Sequence, residues 1–122
     1  MAKRIACVLG GLAALHAYAD PAMPPADVQH GRQLYQACMA CHSVDEDDLG
    51  PRHRGVVGRK SGSVPEYSYS PALKASGIVW TPAMLDRWLA NPQALVPGTK
   101  MIFSLAKEQD RRDVIAYLET LK

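Results

Sequence analysis

The chain has little of what builds a large interior or a strongly charged surface. It holds a single Phe and two Trp in 122 residues, so its side chains alone supply only a modest core. Strand-like alternation is missing, and with it the βαβ setting that a thioredoxin-like cysteine pair would want. Long apolar runs are scarce. The longest, Ile5 to Leu15, falls short of the roughly 20 residues that a bilayer span requires, which argues against stable membrane insertion. Charge of one sign is also lacking. The 14 basic residues include Lys3 and Arg4; without those two, 12 basic residues face 12 acidic ones. Nucleic-acid binding leaves a concentrated basic face, and nothing here supplies one.

The N-terminus reads as an export signal. Lys3 and Arg4 precede the apolar run, and Ala17-Tyr18-Ala19 is a small-x-small cleavage sequence, so residues 1–19 are expected to be removed and the mature chain to begin near Asp20. The alternative is an uncleaved anchor. Cleavage takes Cys7 away and leaves Cys38 and Cys41 as the only thiols. The destination is then the periplasm, where exported cysteines usually pair as disulfides.

What the chain does have is Cys38-Met39-Ala40-Cys41-His42. C-x-x-C-H is the requirement for covalent attachment of a c-type haem. Two thiols add across the porphyrin vinyl groups, and the imidazole that follows reaches the iron from one side. Far downstream, Pro97-Gly98-Thr99-Lys100-Met101 offers a thioether on a shaped loop as the opposite axial ligand. Together they describe a low-spin, six-coordinate electron carrier. A zinc site would need about four ligands, and beyond the two cysteines only His30, His42 and His53 remain to add. Methionine is also a common gap filler, the reading that suits Met23, Met39 and Met84.

Periodicity predicts an all-α domain over 27–122, after an extended Pro-rich leader at 20–26. Val28, Gly31, Tyr35 and Cys38 form one stripe of a first helix, with Asp27 at its start and the haem motif on adjacent turns. Residues 43–70 are loop. Ser70-Pro71 opens a short helix that Gly77 ends, and Thr81-Pro82 opens another with Met84, Leu85, Trp88 and Leu89 on one face. Asn91-Pro92 closes that one. The last helix, about Lys107 to Leu121, turns Val114, Tyr117, Leu118 and Leu121 inward. No internal repeat or second domain is evident. His30 reads as a surface residue, and Asp45-Glu46-Asp47-Asp48 as a solvated acidic loop.

From Gly31 to Leu118 the chain resembles a class I cytochrome c, of the small type found in mitochondria and the bacterial periplasm. The matching residues include Gly31 and Tyr35, Gly50-Pro51, Gly58-Arg59-Lys60, Tyr67-Ser68-Tyr69, Gly77-Ile78-Val79-Trp80, Asn91-Pro92, Pro97 to Phe103, and Ile115-Ala116-Tyr117-Leu118. The resemblance implies the cytochrome c fold: about four to five helices wrapped around one covalently bound haem, with the terminal helices crossing at Gly31 so that Tyr117 packs close. It implies that the Pro51 carbonyl accepts the Nδ1–H of His42. It implies that Tyr69 and Trp80 donate to a buried propionate with Arg59 nearby, and that Thr99 and Trp88 line the pocket around the Met101 sulfur. A neutral thioether in an apolar shell raises the reduction potential above that of a bis-histidine site.

Three departures from the family stand out. The loop between His42 and Gly50 is shorter. His53 replaces an apolar residue on the haem's proximal side and is expected to turn outward. Pro65-Glu66 carries Glu where the family turn prefers Gly, which favours a type I turn. The implied function is single-electron transfer between a membrane or periplasmic donor and an oxidase or reductase, by a chain with no sign of oligomerisation. The rival readings are a peroxidase-like or gas-binding haem protein, which would need an open iron position, and a subunit of a dehydrogenase complex. Docking should rest on the apolar rim near Ala94, Leu95, Ile102 and Phe103. Gln33, Ala37, Gln93 and Ala94 stand where mitochondrial relatives carry lysines, and only Lys100 and Lys107 survive of that ring.

Overall fold

A computed structural model describes residues 22–122. The expected export signal and the cleavage position near Asp20 lie outside the described residues. Five α-helices follow in order: α1 (Val28–Leu34), α2 (Pro71–Ala75), α3 (Pro82–Ala90), α4 (Pro92–Leu95) and α5 (Glu108–Glu119). Among the described residues the only β pairing is an isolated bridge between Lys60 and Val79. None of the helices is long and apolar enough to cross a membrane.

Local chemistry sets the helix starts. The Asp27 carboxylate accepts from the N–H groups of Gln29 and His30, Ser70 from Leu73, Thr81 from Met84, and Asn91 from Ala94. Proline stands within the first turn of α2, α3 and α4, where its missing N–H costs nothing. Asn91-Pro92 therefore does two things: it ends α3 and opens the single turn of α4, which the sequence pattern did not separate. The first helix also differs from expectation. It tightens at Tyr35 into a 3-10 segment, Tyr35–Ala40, so Cys41 and His42 stand beyond its end rather than on a helical turn.

The core lies between α3, α5 and the first helix: Tyr35, Leu85, Trp88, Leu89, Val114, Ile115 and Leu118 are all buried. The termini meet there, as α1 packs across α5. Gly31 permits this approach: main-chain atoms of Asp113 and Val114 stand where a Cβ would project. Tyr117 packs against Tyr35, centroids 5.0 Å apart. At the turn 64–67, Glu66 has φ 66°, and the Tyr67 N–H points to the Val64 carbonyl at 3.4 Å. This is the left-handed conformation of a type II turn, so the type I expectation is corrected: the turn geometry prevails over the residue's preference.

Asp113 is the polar centre of the crossing. With only 2% of its surface exposed, it accepts from the Asp27 N–H at 2.8 Å, Gln109 Nε2 at 2.8 Å and His30 Nδ1 at 2.7 Å. His30 is thus partly exposed, as expected of a surface residue, yet tied to a buried partner. Its bond to Asp113, with the charges of Asp110 and Asp27, outweighs desolvation and raises its pKa above the ordinary 6.5. Burial works to raise Asp113, but its three donors hold it below the usual carboxylate range. The protonated histidine therefore contributes stability that is complete below the unfolded pKa and is lost as pH rises through the folded one. Thermal melts of the holoprotein should show this loss as pH rises above the ordinary histidine value of 6.5, and His30→Gln should flatten that part of the profile. An unchanged slope in the variant would count against the assignment.

Candidate haem site

The helices enclose a cavity of about 420 Å³, entered at one edge. Its deeper wall is the buried apolar set of Leu73, Leu85, Leu89, Val114 and Leu118, contributed by α2, α3 and α5. All ten residues singled out from the sequence line it: Cys38, Cys41, His42, Pro51, Arg59, Tyr69, Trp80, Trp88, Thr99 and Met101. Cys38 is half-buried, Cys41 is exposed, and neither forms a disulfide.

His42 is oriented by main chain. Its Nδ1 lies 2.7 Å from the Pro51 carbonyl oxygen, which places the proton on that nitrogen and leaves the Nε2 lone pair free. Burial lowers its pKa, which keeps the ring neutral and able to donate that lone pair. Gly50 lies directly against the ring, where any Cβ would overlap it. On the Met101 side, the 97–101 loop turns through Gly98 at φ 89°. Gln93 then pins it, Nε2 reaching the carbonyls of Thr99 at 2.7 Å and Met101 at 3.1 Å.

The polar groups cluster separately. Arg59 donates to the carbonyls of Arg52 and Arg54, so its guanidinium is held at the cavity wall by the loop beside it. The Tyr69 hydroxyl accepts from the Val64 N–H at 3.0 Å, which leaves its own proton to donate. Tyr67 stands edge-on to Tyr69 and donates to the Leu49 carbonyl at 2.5 Å. Trp80 and Trp88 are both buried, rings 5.0 Å apart.

His53 does not turn outward, contrary to the expectation from sequence. It lines the cavity, stacks on His42 with centroids 3.9 Å apart, and bonds to the Tyr35 hydroxyl at 3.0 Å. Burial, with His42 and Arg59 nearby, pushes its pKa down to about 3, so the ring is neutral. A neutral imidazole with a phenol to bond is a tolerable occupant of an apolar wall, and this is why an inward course is open to it. Gln93 and Tyr67 were also missed as site residues. Gln93 had been read only as a lost surface lysine, although its position one turn before a Pro-Gly loop was a usable signal.

A helical shell around a carbon-walled slot, with a thioether and a neutral imidazole among the few hetero-atoms on its walls, suits a large flat cofactor that binds through its metal. The donor set fits haem. It combines unpaired thiols, a free imidazole lone pair, a thioether, and O–H and guanidinium donors gathered where carboxylates would need them. Residues 28–122 match the Cytochrome c family model. Cytochrome c2 of Rhodomicrobium vannielii is 48% identical over 98 residues, covering 77% of this chain and 78% of that one. Cytochrome c2 of Rhodopila globiformis is 48% identical over 103 residues, covering 81% and 97%. Among solved structures, cytochrome cH from Methylobacterium extorquens superposes with a TM-score of 0.75 at 43% identity, covering 77% of this chain and 98% of that one. The chain belongs to the cytochrome c family. It is an electron-transfer protein rather than an enzyme, and it carries covalently attached haem c.

Because Gln93 holds the Met101 loop by two bonds, Gln93→Ala should lower stability by about 1–2 kcal/mol. It should also speed amide exchange within residues 97–103 while leaving α1 and α5 protected, a contrast that hydrogen-exchange mass spectrometry resolves.

Proposed function

We propose that His42 and Met101 are the axial ligands of the haem iron and that Cys38 and Cys41 carry its thioether links. The observation that bears most weight is the 2.7 Å bond from His42 Nδ1 to Pro51, which directs Nε2 to the cavity that Met101 also lines. Bound there, the haem supplies a one-electron ferric/ferrous couple. The chain's residues do the rest. The buried leucines and Trp88 keep water from the ligands, and the neutral sulfur of Met101 favours the ferrous state relative to a second imidazole. Tyr69, Trp80 and Arg59 serve a buried propionate, which would otherwise carry a heavy desolvation cost, while Thr99 lies beside the Met101 loop. Held by His42 on one side and Met101 on the other, the iron would offer no open position to a substrate, and the chemistry the haem would supply is electron exchange alone.

The mature chain, 20–122, is proposed to act as a periplasmic monomer, after export directed by residues 1–19 and with 27–122 as its functional domain. It passes electrons from a membrane or periplasmic donor to an oxidase or reductase. The exposed apolar residues Leu49, Ile102 and Phe103 stand at the cavity mouth and suit transient docking.

Two measurements test this. Haem should survive acid–acetone extraction of the mature protein, and Met101→Ala should lower the potential and admit cyanide or carbon monoxide; extractable haem, or a variant that stays closed to both ligands, refutes the assignment. For docking, equal numbers of acidic and basic residues leave little long-range steering. Stopped-flow rates with the natural partner should change only a few-fold from low to physiological ionic strength, where a strongly steered pair changes by about ten-fold or more. A steep decline abolished by Lys107→Glu would mean that a local basic patch governs docking.

A further inference from the structure

The bond from Nδ1 to Pro51 leaves one freedom of His42 uncontrolled. The Nδ1–H and the Nε2 lone pair point in nearly opposite directions across an imidazole, so anchoring both ends still allows the ring to swivel about the line between them. The tether at Cβ limits that motion, and contacts with the two faces restrict what it leaves. Gly50 packs against one face so closely that a Cβ would overlap the ring, which leaves no room for a second ring on that side. His53 therefore takes the other face, inclined by only 23° at 3.9 Å.

His53 is itself held. Its Nδ1 bonds to the Tyr35 hydroxyl at 3.0 Å, and Tyr35, with 1% of its surface exposed, packs on Tyr117 of α5. An aliphatic side chain would fill the same volume, but it offers no plane to match and no hydrogen bond to fix its own rotamer. We propose that Tyr35 and His53 form a positioning pair that clamps the His42 imidazole against Gly50 and fixes its rotation about the bond to iron. This rests on His42 being an axial ligand. The plane of an axial imidazole, together with the orientation of the opposite sulfur, would orient the orbital that holds the unpaired ferric electron, so the pair would bias in which direction along the cofactor edge spin density is greatest.

The test is ferric electron paramagnetic resonance, together with the paramagnetic shifts of the haem methyl protons, on the mature holoprotein. His53→Leu should keep the low-spin spectrum but change the g anisotropy and redistribute the methyl shifts. Tyr35→Phe, which removes one oxygen and keeps both imidazoles, should change them in the same direction by less. The double variant should match His53→Leu, since the phenol acts only through that ring. If His53→Leu does not accumulate holoprotein, Tyr35→Phe carries the test alone. Spectra identical to the parent in the variants obtained overturn the positioning pair while leaving the ligand assignment intact. A parent spectrum that is not low-spin, or one that survives His42→Ala, overturns both.

Discussion

The rest of the structure depends on a contact between two stretches of main chain. At Gly31 the first helix comes so near to Asp113 and Val114 of α5 that no side-chain atom fits between them. Beside that contact the Asp113 carboxylate gathers the α1 cap residue Asp27, His30 and Gln109. The first helix is thereby locked to α5, and the buried face of that junction, Tyr35 with Val114 and Leu118, forms part of the cavity wall. A displacement of α5 would alter both the helix crossing and the cofactor's surroundings, because the same three side chains belong to each.

Around that junction the polar groups divide the work of holding loops that have no regular structure. Arg111 links α5 to Asp86 on α3 at 2.7 Å and reaches the carbonyls of Leu105 and Ala106, which fixes the segment running down from Met101. Gln93 secures the upper part of the same segment. On the opposite side, Arg59 takes the carbonyls of Arg52 and Arg54, and Pro51 between them and His42 receives the imidazole. The two walls of the slot are thus held by side-chain bonds to main-chain carbonyls. A small chain with one Phe can present a rigid pocket because the holding is done by hydrogen bonds to main-chain carbonyls rather than by bulk.

Much of this was legible in the sequence, for reasons that are local. Ser70-Pro71 and Thr81-Pro82 announce helix starts through chemistry that needs no tertiary partner, and both side chains cap as expected. C-x-x-C-H and the Pro-Gly loop before Met101 are close in sequence to the atoms they present. What failed depended on distant neighbours. Nothing near Gly31 says that the Asp113 main chain will lie beneath it. The positive φ at Glu66 is imposed by the loop around it, and the inward course of His53 requires a tyrosine 18 positions earlier to bond with it. His30 was read as a surface residue for want of any hint that its partner stands 83 positions away.

That separation has a consequence for the order of events. The Gly55 N–H bonds to the Leu121 carbonyl at 2.6 Å, and Arg54 Nη1 to that of Lys122 at 3.0 Å, so the proximal loop is completed by the segment that follows α5. α1 makes its main tertiary packing with α5, whose Asp113 stands 83 positions from His30. Loop-closure entropy must be overcome over nearly the whole length before the crossing returns any stability. Docking of α5 therefore closes the molecule, and until it docks Cys38, half-buried in the finished fold, stands on an open segment.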